Sequence, residues 1–249
     1  MDLTAYLRRI RYTGAVSPTE ETLRGIHRAH LESVPFENLD IFLGRQISID
    51  EDAFFRKVVE ARRGGFCYEL NGAFAALLRA IGFQVTLLSA QVARDDGTYS
   101  PEYDHLALLV DLEQRWLADV GFGENFVEPL MLDNDLEQHQ SEGTYRIRER
   151  DGLWTVEQLQ SDDVWKREYS FGLRAREPQE FAARCHFHQT SPESHFTQKR
   201  LCTLATPTGR ITLSDLKLIV TENGVRQEQL LASEEEWREV LRERFGVIA

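Results

Sequence analysis

The period of the apolar residues changes at Phe83, and that change limits the architectures open to the chain. Before it, apolar side chains recur at helical spacing. After it come short runs of β-formers separated by turn signals. Helices first and strands afterwards predict an α+β protein. Ser17-Pro18-Thr19-Glu20 predicts a helix start, with Ser17 as cap, Pro18 in the first helical position and Glu20 closing a capping box. Leu23, Ile26, Ala29, His30 and Val34 follow on one face, and Pro35 ends the run. Asp50 predicts the cap of a second helix, whose Phe54, Phe55, Val58 and Val59 form a stripe. A third helix is predicted from about Phe66 to Arg79, with Gly82 just past its end.

Beyond Phe83, strands are predicted over 85–93, 105–110, 115–120 and 164–171. A hairpin over 143–147 and 153–159 turns at Asp151-Gly152, and another over 216–222 and 224–229 turns at Asn223-Gly224. Two more strands are read at 200–204 and 210–213. The stretch from Glu177-Pro178 to about Ser194 reads as irregular. Ser233 followed by Glu234-Glu235-Glu236 predicts a last helix, with acids at its positive end.

Charge and cysteine content exclude some functions. Lys and Arg number 29 against 41 Asp and Glu, so 29 − 41 = −12, which argues against a nucleic-acid partner. Cys67, Cys185 and Cys202 cannot build a disulfide framework, and at least one is unpaired, as suits a reducing compartment. The N-terminus lacks a long apolar stretch, and runs such as Leu106 to Val110 are too short to span a bilayer. The expectation is a soluble cytoplasmic protein with no membrane partner.

Arg63-Gly64-Gly65-Phe66-Cys67-Tyr68-Glu69-Leu70-Asn71 is where chemistry concentrates. Two glycines permit a tight turn, and Cys67 then enters the first turn of a helix, where the dipole and free N–H groups favour a thiolate. Arg63 adds positive charge nearby. A buried, inert cysteine after a glycine turn is the plain alternative. A nucleophilic cysteine needs a base and an orienting group. His105 opens the strand Leu106-Ala107-Leu108-Leu109-Val110, and Asp119 closes Trp116-Leu117-Ala118. Pairing Val110 with Gln114 would set His105 opposite Asp119, whereas pairing Val110 with Arg115 would put them on opposite faces. Taken singly, His105 reads as a strand-edge histidine and Asp119 as a turn cap. The three together read as a papain-like Cys-His-Asp triad.

Several ordered blocks resemble the arylamine N-acetyltransferase family across essentially the whole chain. They are Pro35-Phe36-Glu37-Asn38-Leu39, Arg63 to Asn71, His105 before Leu108-Leu109-Val110, Trp116 to Gly123, Ser191-Pro192-Glu193-Ser194-His195-Phe196, and Thr208-Gly209-Arg210. The resemblance implies an N-terminal helical bundle (1–83) carrying the nucleophile, a central antiparallel β-barrel (84–183) carrying His and Asp, and an interdomain segment with an α/β lid (184–249). It implies catalytic Cys67, His105 and Asp119, with acetyl-CoA as acyl donor and no metal. The reaction implied is ping-pong transfer, through a cysteine thioester, to an aromatic amine or hydrazine, in xenobiotic metabolism. A monomer or weak homo-oligomer is expected. Two features depart from the family. Asp104 stands before the histidine, where a small hydroxyl residue is usual, and could raise the His105 pKa or alter the CoA path. The chain also stops at Phe245-Gly246-Val247-Ile248-Ala249, where several relatives continue.

Residues 184–210 carry Arg184, Lys199, Arg200 and Arg210 with a single acid, Glu193. This basic island, with Ser191 and the Thr208-Gly209 backbone, is the candidate site for CoA phosphates. Phe36, Phe122 and Phe196 are candidate walls of the acceptor pocket, against plain core packing as the alternative. Glu37 is expected to pair with Arg63 and hold the glycine turn. Cys185-His186-Phe187-His188 matches no zinc spacing, and strand alternation would split Cys185 and Phe187 from the histidines. Besides an acyltransferase, a cysteine hydrolase or amide synthase could use the same triad. A silent acyl-CoA or aromatic binder would have no use for all three residues.

Overall fold

The computed structural model describes residues 1–248; Ala249, the last residue of the terminal stretch noted above, lies outside the described residues. The N-terminal part holds α1 (Leu3–Arg9), α2 (Glu20–Leu31), a short β1 (Phe36–Glu37), α3 (Leu39–Phe42), α4 (Glu51–Phe55) and α5 (Cys67–Ile81). The cap of α2 is Thr19, not Ser17, so Pro18 lies outside the helix. Thr19 has extended backbone and its side chain accepts from Thr22 N. The helix also stops at Leu31, short of Val34, which turns inward as part of the core. Asp50 caps α4 as expected. A π-helical turn over Arg56–Glu60 follows, and both Val58 and Val59 are buried there. Gly82 ends α5 at φ 109°, a conformation that favours glycine.

The middle of the chain forms an eight-stranded antiparallel sheet curled into a nearly closed barrel. Its strands are β2 (Gln84–Val92), β3 (His105–Asp111), β4 (Arg115–Ala118), β5 (Leu130–Met131), β6 (Gln138–Gln140), β7 (Gly143–Arg150), β8 (Leu153–Leu159) and β9 (Trp165–Phe171), in the order β5-β4-β3-β2-β9-β8-β7-β6. The edge strands meet through side chains: Gln138 accepts from Met131 N (2.8 Å) and donates to Met131 O (3.0 Å). One glutamine thus supplies the ladder bonds that the two short strands lack. β3 is buried on both faces, which explains its unbroken apolar run. Ala107 and Leu109 point into the barrel, while Leu106, Leu108 and Val110 pack on the helices.

The hairpin register differs from the expected one by two residues. Val110 pairs with Trp116 and Leu108 with Ala118. One step further sets Asp119 opposite Ala107, diagonal to His105. A two-residue slip preserves the face, so His105 and Asp119 still point the same way.

The stretch expected to be irregular is largely helical: a 3₁₀ turn (Pro178–Phe181) leads into α6 (Ala182–Thr190), and α7 (His195–Gln198) follows. The signals were there: Pro178 occupies the first turn, and Glu180 accepts from Glu177 N at 2.7 Å. The helix also overturns the strand alternation proposed for 185–188. Cys185 and His188 are buried on one face and His186 is exposed. The last part holds β10 (Leu201–Thr206), β11 (Gly209–Ser214), β12 (Lys217–Glu222), β13 (Val225–Leu230) and α8 (Glu234–Phe245), with Ser233 as its cap. Asn223 and Gly224 both have positive φ, 50° and 78°, as a type I′ hairpin requires. β1 pairs with β10, so the N-terminal part contributes a strand to this five-stranded sheet. Trp237, Leu241 and Phe245 of α8 cover the sheet.

Candidate active site

Cys67 is the first residue of α5, and it is buried. The turn before it is fixed by an ionic knot. Arg63 donates to Glu37 Oε1 from Nε (3.0 Å) and Nη2 (2.7 Å), and its Nη2 lies 3.1 Å from Asp40. Glu37 also accepts from Leu39 N at 2.7 Å. Lys57 joins the knot, bonding Asp40 (2.8 Å) and Glu69 (2.7 Å), and Glu69 in turn accepts from Phe66 N at 3.1 Å. Glu37 therefore holds the turn as expected. Arg63, however, is neutralised by its carboxylates and supplies no free charge to Cys67. Burial pushes the thiol well above its ordinary value; the bond from the Leu106 N–H works the other way.

The first turn of α5 rests on the ends of β3 and β4. Asn71, one turn beyond Cys67, joins them. Its Nδ2 donates to Leu106 O (2.6 Å) and Asp119 Oδ1 (2.8 Å), and its Oδ1 accepts from Val120 N (2.9 Å). His105 Nε2 lies 2.7 Å from Asp119 Oδ2, which leaves Nδ1 as the free ring nitrogen. Asp119 is fully covered. Burial opposes its charge, but His105, Asn71 and the Gly121 N–H hold the carboxyl below its usual range. His27 completes the support. Its Nδ1 donates to Val127 O (2.8 Å) and its Nε2 accepts from Asp119 N (3.0 Å). Burial pushes His27 down to about 4, which keeps it neutral in this role.

Cys67, His105 and Gly121 line one cavity of about 770 Å³. Phe36, Phe122 and Phe196 line it too, so all three candidate wall residues are gathered there. The Phe122 ring stands edge-on to His105, with centroids 5.2 Å apart at 85°. The candidate phosphate residues lie elsewhere. Thr208, Gly209 and Arg210 line a second cavity of about 720 Å³, which shares Phe122 with the first. Gly209 is needed for its φ of 153° and because a Cβ would strike Thr221 O, so it serves the hairpin first. The Arg210 guanidinium is directed at Gly123 O and Thr203 Oγ1. Ser191 caps the end of α6 and lines neither cavity. Arg200 is tied to Glu234 at 2.6 Å, so the basic island is partly neutralised. Asp104, the departing residue, accepts from Arg184 Nε and lies 3.0 Å from His188 Nε2.

Asn71 and His27 were not singled out from the sequence. Each is a buried polar residue of a helix, Asn71 four residues after Cys67 and His27 beside Ile26, on a face it shares with Thr22 and His30. Gly121 is a further positioning residue. A Cβ there would sit 2.8 Å from Cys67 Cα and 2.8 Å from Asn71 Nδ2. Gly121→Ala is expected to cost about 1–3 kcal/mol of stability and to alter the alkylation rate of Cys67. Thermal unfolding and thiol titration check this, and a variant unchanged in both would show that the contact is slack.

Among the described residues no helix is long and apolar enough to cross a membrane, and no three His, Cys, Asp or Glu side chains converge as a metal site. A family profile described as N-acetyltransferase matches residues 19–248. The arylamine N-acetyltransferase of Escherichia coli (strain K12) is 35% identical, covering 98% of this chain and 88% of that protein. The solved arylamine N-acetyltransferase from Salmonella typhimurium superposes with a TM-score of 0.93 at 34% identity, over 98% of this chain and 90% of that one. The Mycobacterium marinum arylamine N-acetyltransferase solved in complex with CoA gives 0.91 at 30% identity, over 99% and 93%.

Proposed function

The chain belongs to the arylamine N-acetyltransferase family, and from that premise we propose that it transfers the acetyl group of acetyl-CoA to an aromatic amine or hydrazine through a thioester on Cys67. The observation that carries this reading is the His105–Asp119 bond of 2.7 Å at the cavity that also holds Cys67. A buried thiol is a poor nucleophile until its proton leaves. His105 takes that proton through Nδ1, and Asp119 stabilises the imidazolium that forms. The thiolate attacks the acetyl carbonyl, and CoA leaves as its thiol with the proton that His105 took from Cys67; the amine then attacks the thioester carbonyl, the C–S bond breaks, and the amine's proton passes by way of His105 to the Cys67 sulfur as the N-acetyl product leaves.

We divide the chain by role as residues 1–83 with the nucleophile, 84–183 with the base and its partner, and 184–249 as the cover. Phe36, Phe122 and Phe196 form the aromatic wall against which an arylamine ring packs. Thr208, Gly209 and Arg210 belong to the neighbouring cavity across Phe122. They are assigned to the distal end of CoA, and Ser191 acts only through the fold of the 191–198 segment. Initial rates with acetyl-CoA and an arylamine test the order of events. Parallel double-reciprocal lines support release of CoA before amine attack; intersecting lines contradict it.

A further inference from the structure

Resting on the acetyl-transfer reading above, we infer that Arg184 selects aromatic acceptors that carry an acidic ring substituent, holding a carboxylate with its terminal nitrogens. Arg184 lies on α6, and its side chain lines the same cavity as Cys67 and His105. It is fixed from two sides. Its Nε donates to Asp104 Oδ1 at 2.5 Å, and its Cζ stands 4.0 Å from the centre of the Phe187 ring. Asp104 is itself held, with His188 Nε2 3.0 Å from the same oxygen, and His188 Nδ1 lies 3.0 Å from Ser194 Oγ. Among the described residues neither terminal nitrogen of Arg184 makes a hydrogen bond; the bond to Asp104 runs through Nε.

The arrangement is a guanidinium clamped through Nε and stacked on Phe187, on a residue that lines the cavity. Two parallel N–H groups in a rigid fork match a carboxylate. The Arg184 side chain is 19% exposed, so an anion there meets little screening water. Asp95, Asp96 and Glu193 share the lip of the cavity, but they are exposed and their repulsion is weakened by solvent and salt. The anion could come from the acceptor or from the phosphates of CoA. Asp104 directly precedes His105, so its partner Arg184 belongs to the end of the cavity where the acetyl group changes hands. The long pantetheine arm keeps CoA's phosphates away from that end.

The test compares 4-aminobenzoate with its neutral counterpart, 4-aminobenzamide. Their kcat/KM ratio is expected to fall roughly 10- to 100-fold in Arg184→Gln, as for loss of a charge-assisted hydrogen-bonded pair. Arg184→Met keeps the stem over Phe187 and gives the same reading should the Gln variant not fold. A ratio unchanged in both variants overturns the assignment. So does slower acetylation of Cys67 by acetyl-CoA in the absence of amine, which would place Arg184 on the CoA phosphates. If the wild type acetylates neither amine, the acetyl-transfer reading fails first, and the two failures are told apart.

Discussion

Cys67→Ala is expected to lower acetyl transfer by at least about 10⁴-fold while the protein remains folded, because the variant has no atom on which the acetyl group can rest. Cys185→Ala and Cys202→Ala are expected to retain most activity. Both thiols are buried, Cys202 between sheet and α8 and Cys185 on the inner face of α6, and burial pushes both up, Cys185 to about 12. Neither lines the cavity that holds His105. Equal loss from all three substitutions would remove Cys67 from its role. A companion measurement separates nucleophile from scaffold. Burial first, and the Asp119 and Asp104 carboxylates with it, push the Cys67 thiol well above its ordinary value, and on the reading proposed above its alkylation at neutral pH depends on transfer of the proton to His105. In His105→Asn that route is gone, and the alkylation profile is expected to move to the alkaline side. A profile identical to the wild type would mean that His105 does not serve as the base.

Asp119→Asn is expected to lower the acetyl-CoA half-reaction by about 10²–10⁴-fold. The shape is nearly kept and the charge is lost. The imidazolium formed when His105 takes the Cys67 proton loses its counter-charge, and an amide N–H aimed at Nε2 favours the wrong tautomer. Asp119 also accepts from Asn71 and from Gly121 N, each at 2.8–2.9 Å, so some stability is lost as well, on the order of 1 kcal/mol. The two losses differ in kind. A purely structural Asp119 predicts lower thermal stability with near-normal Cys67 alkylation once folded. The triad predicts that alkylation at neutral pH falls together with turnover. The carboxyl is held below its usual range in the fold. Its ionisation therefore stabilises the protein above about pH 3.8, and this contribution is lost as pH falls through the lower folded value.

The parts of this site legible in the sequence are those set by local rules. Two glycines followed by Cys67 and a glutamate three residues after Phe66 specify a turn and a helix start from backbone chemistry alone. The Asn223-Gly224 and Asp151-Gly152 turns are similarly self-contained. The β3–β4 register was not legible, because sheet faces constrain it only to an even number of residues, and the observed pairing of Val110 with Trp116 satisfies that as well as the expected one did. His27 and Asn71 escaped for a different reason. Their partners lie 92 and 48 residues away, and nothing local says that either polar side chain will be buried against Asp119. The charge of Arg63 was misjudged likewise: its closest partner, Glu37, is 26 residues upstream, and the pair had to be weighed together with Asp40 before the guanidinium could be seen as neutralised. The cover over 177–194 was obscured by its mixed 3₁₀ and α character, despite the proline and glutamate that start it.

One measurement reaches the central claim directly. The protein is mixed with acetyl-CoA in the absence of any amine, and its intact mass is recorded before and after an arylamine is added, with peptide mapping of the modified residue. One acetyl group on Cys67, stable without acceptor and discharged to the amine as its N-acetyl product, is the predicted result. An unmodified protein, an acetyl group on another residue, or acetate released equally fast with and without amine would contradict it.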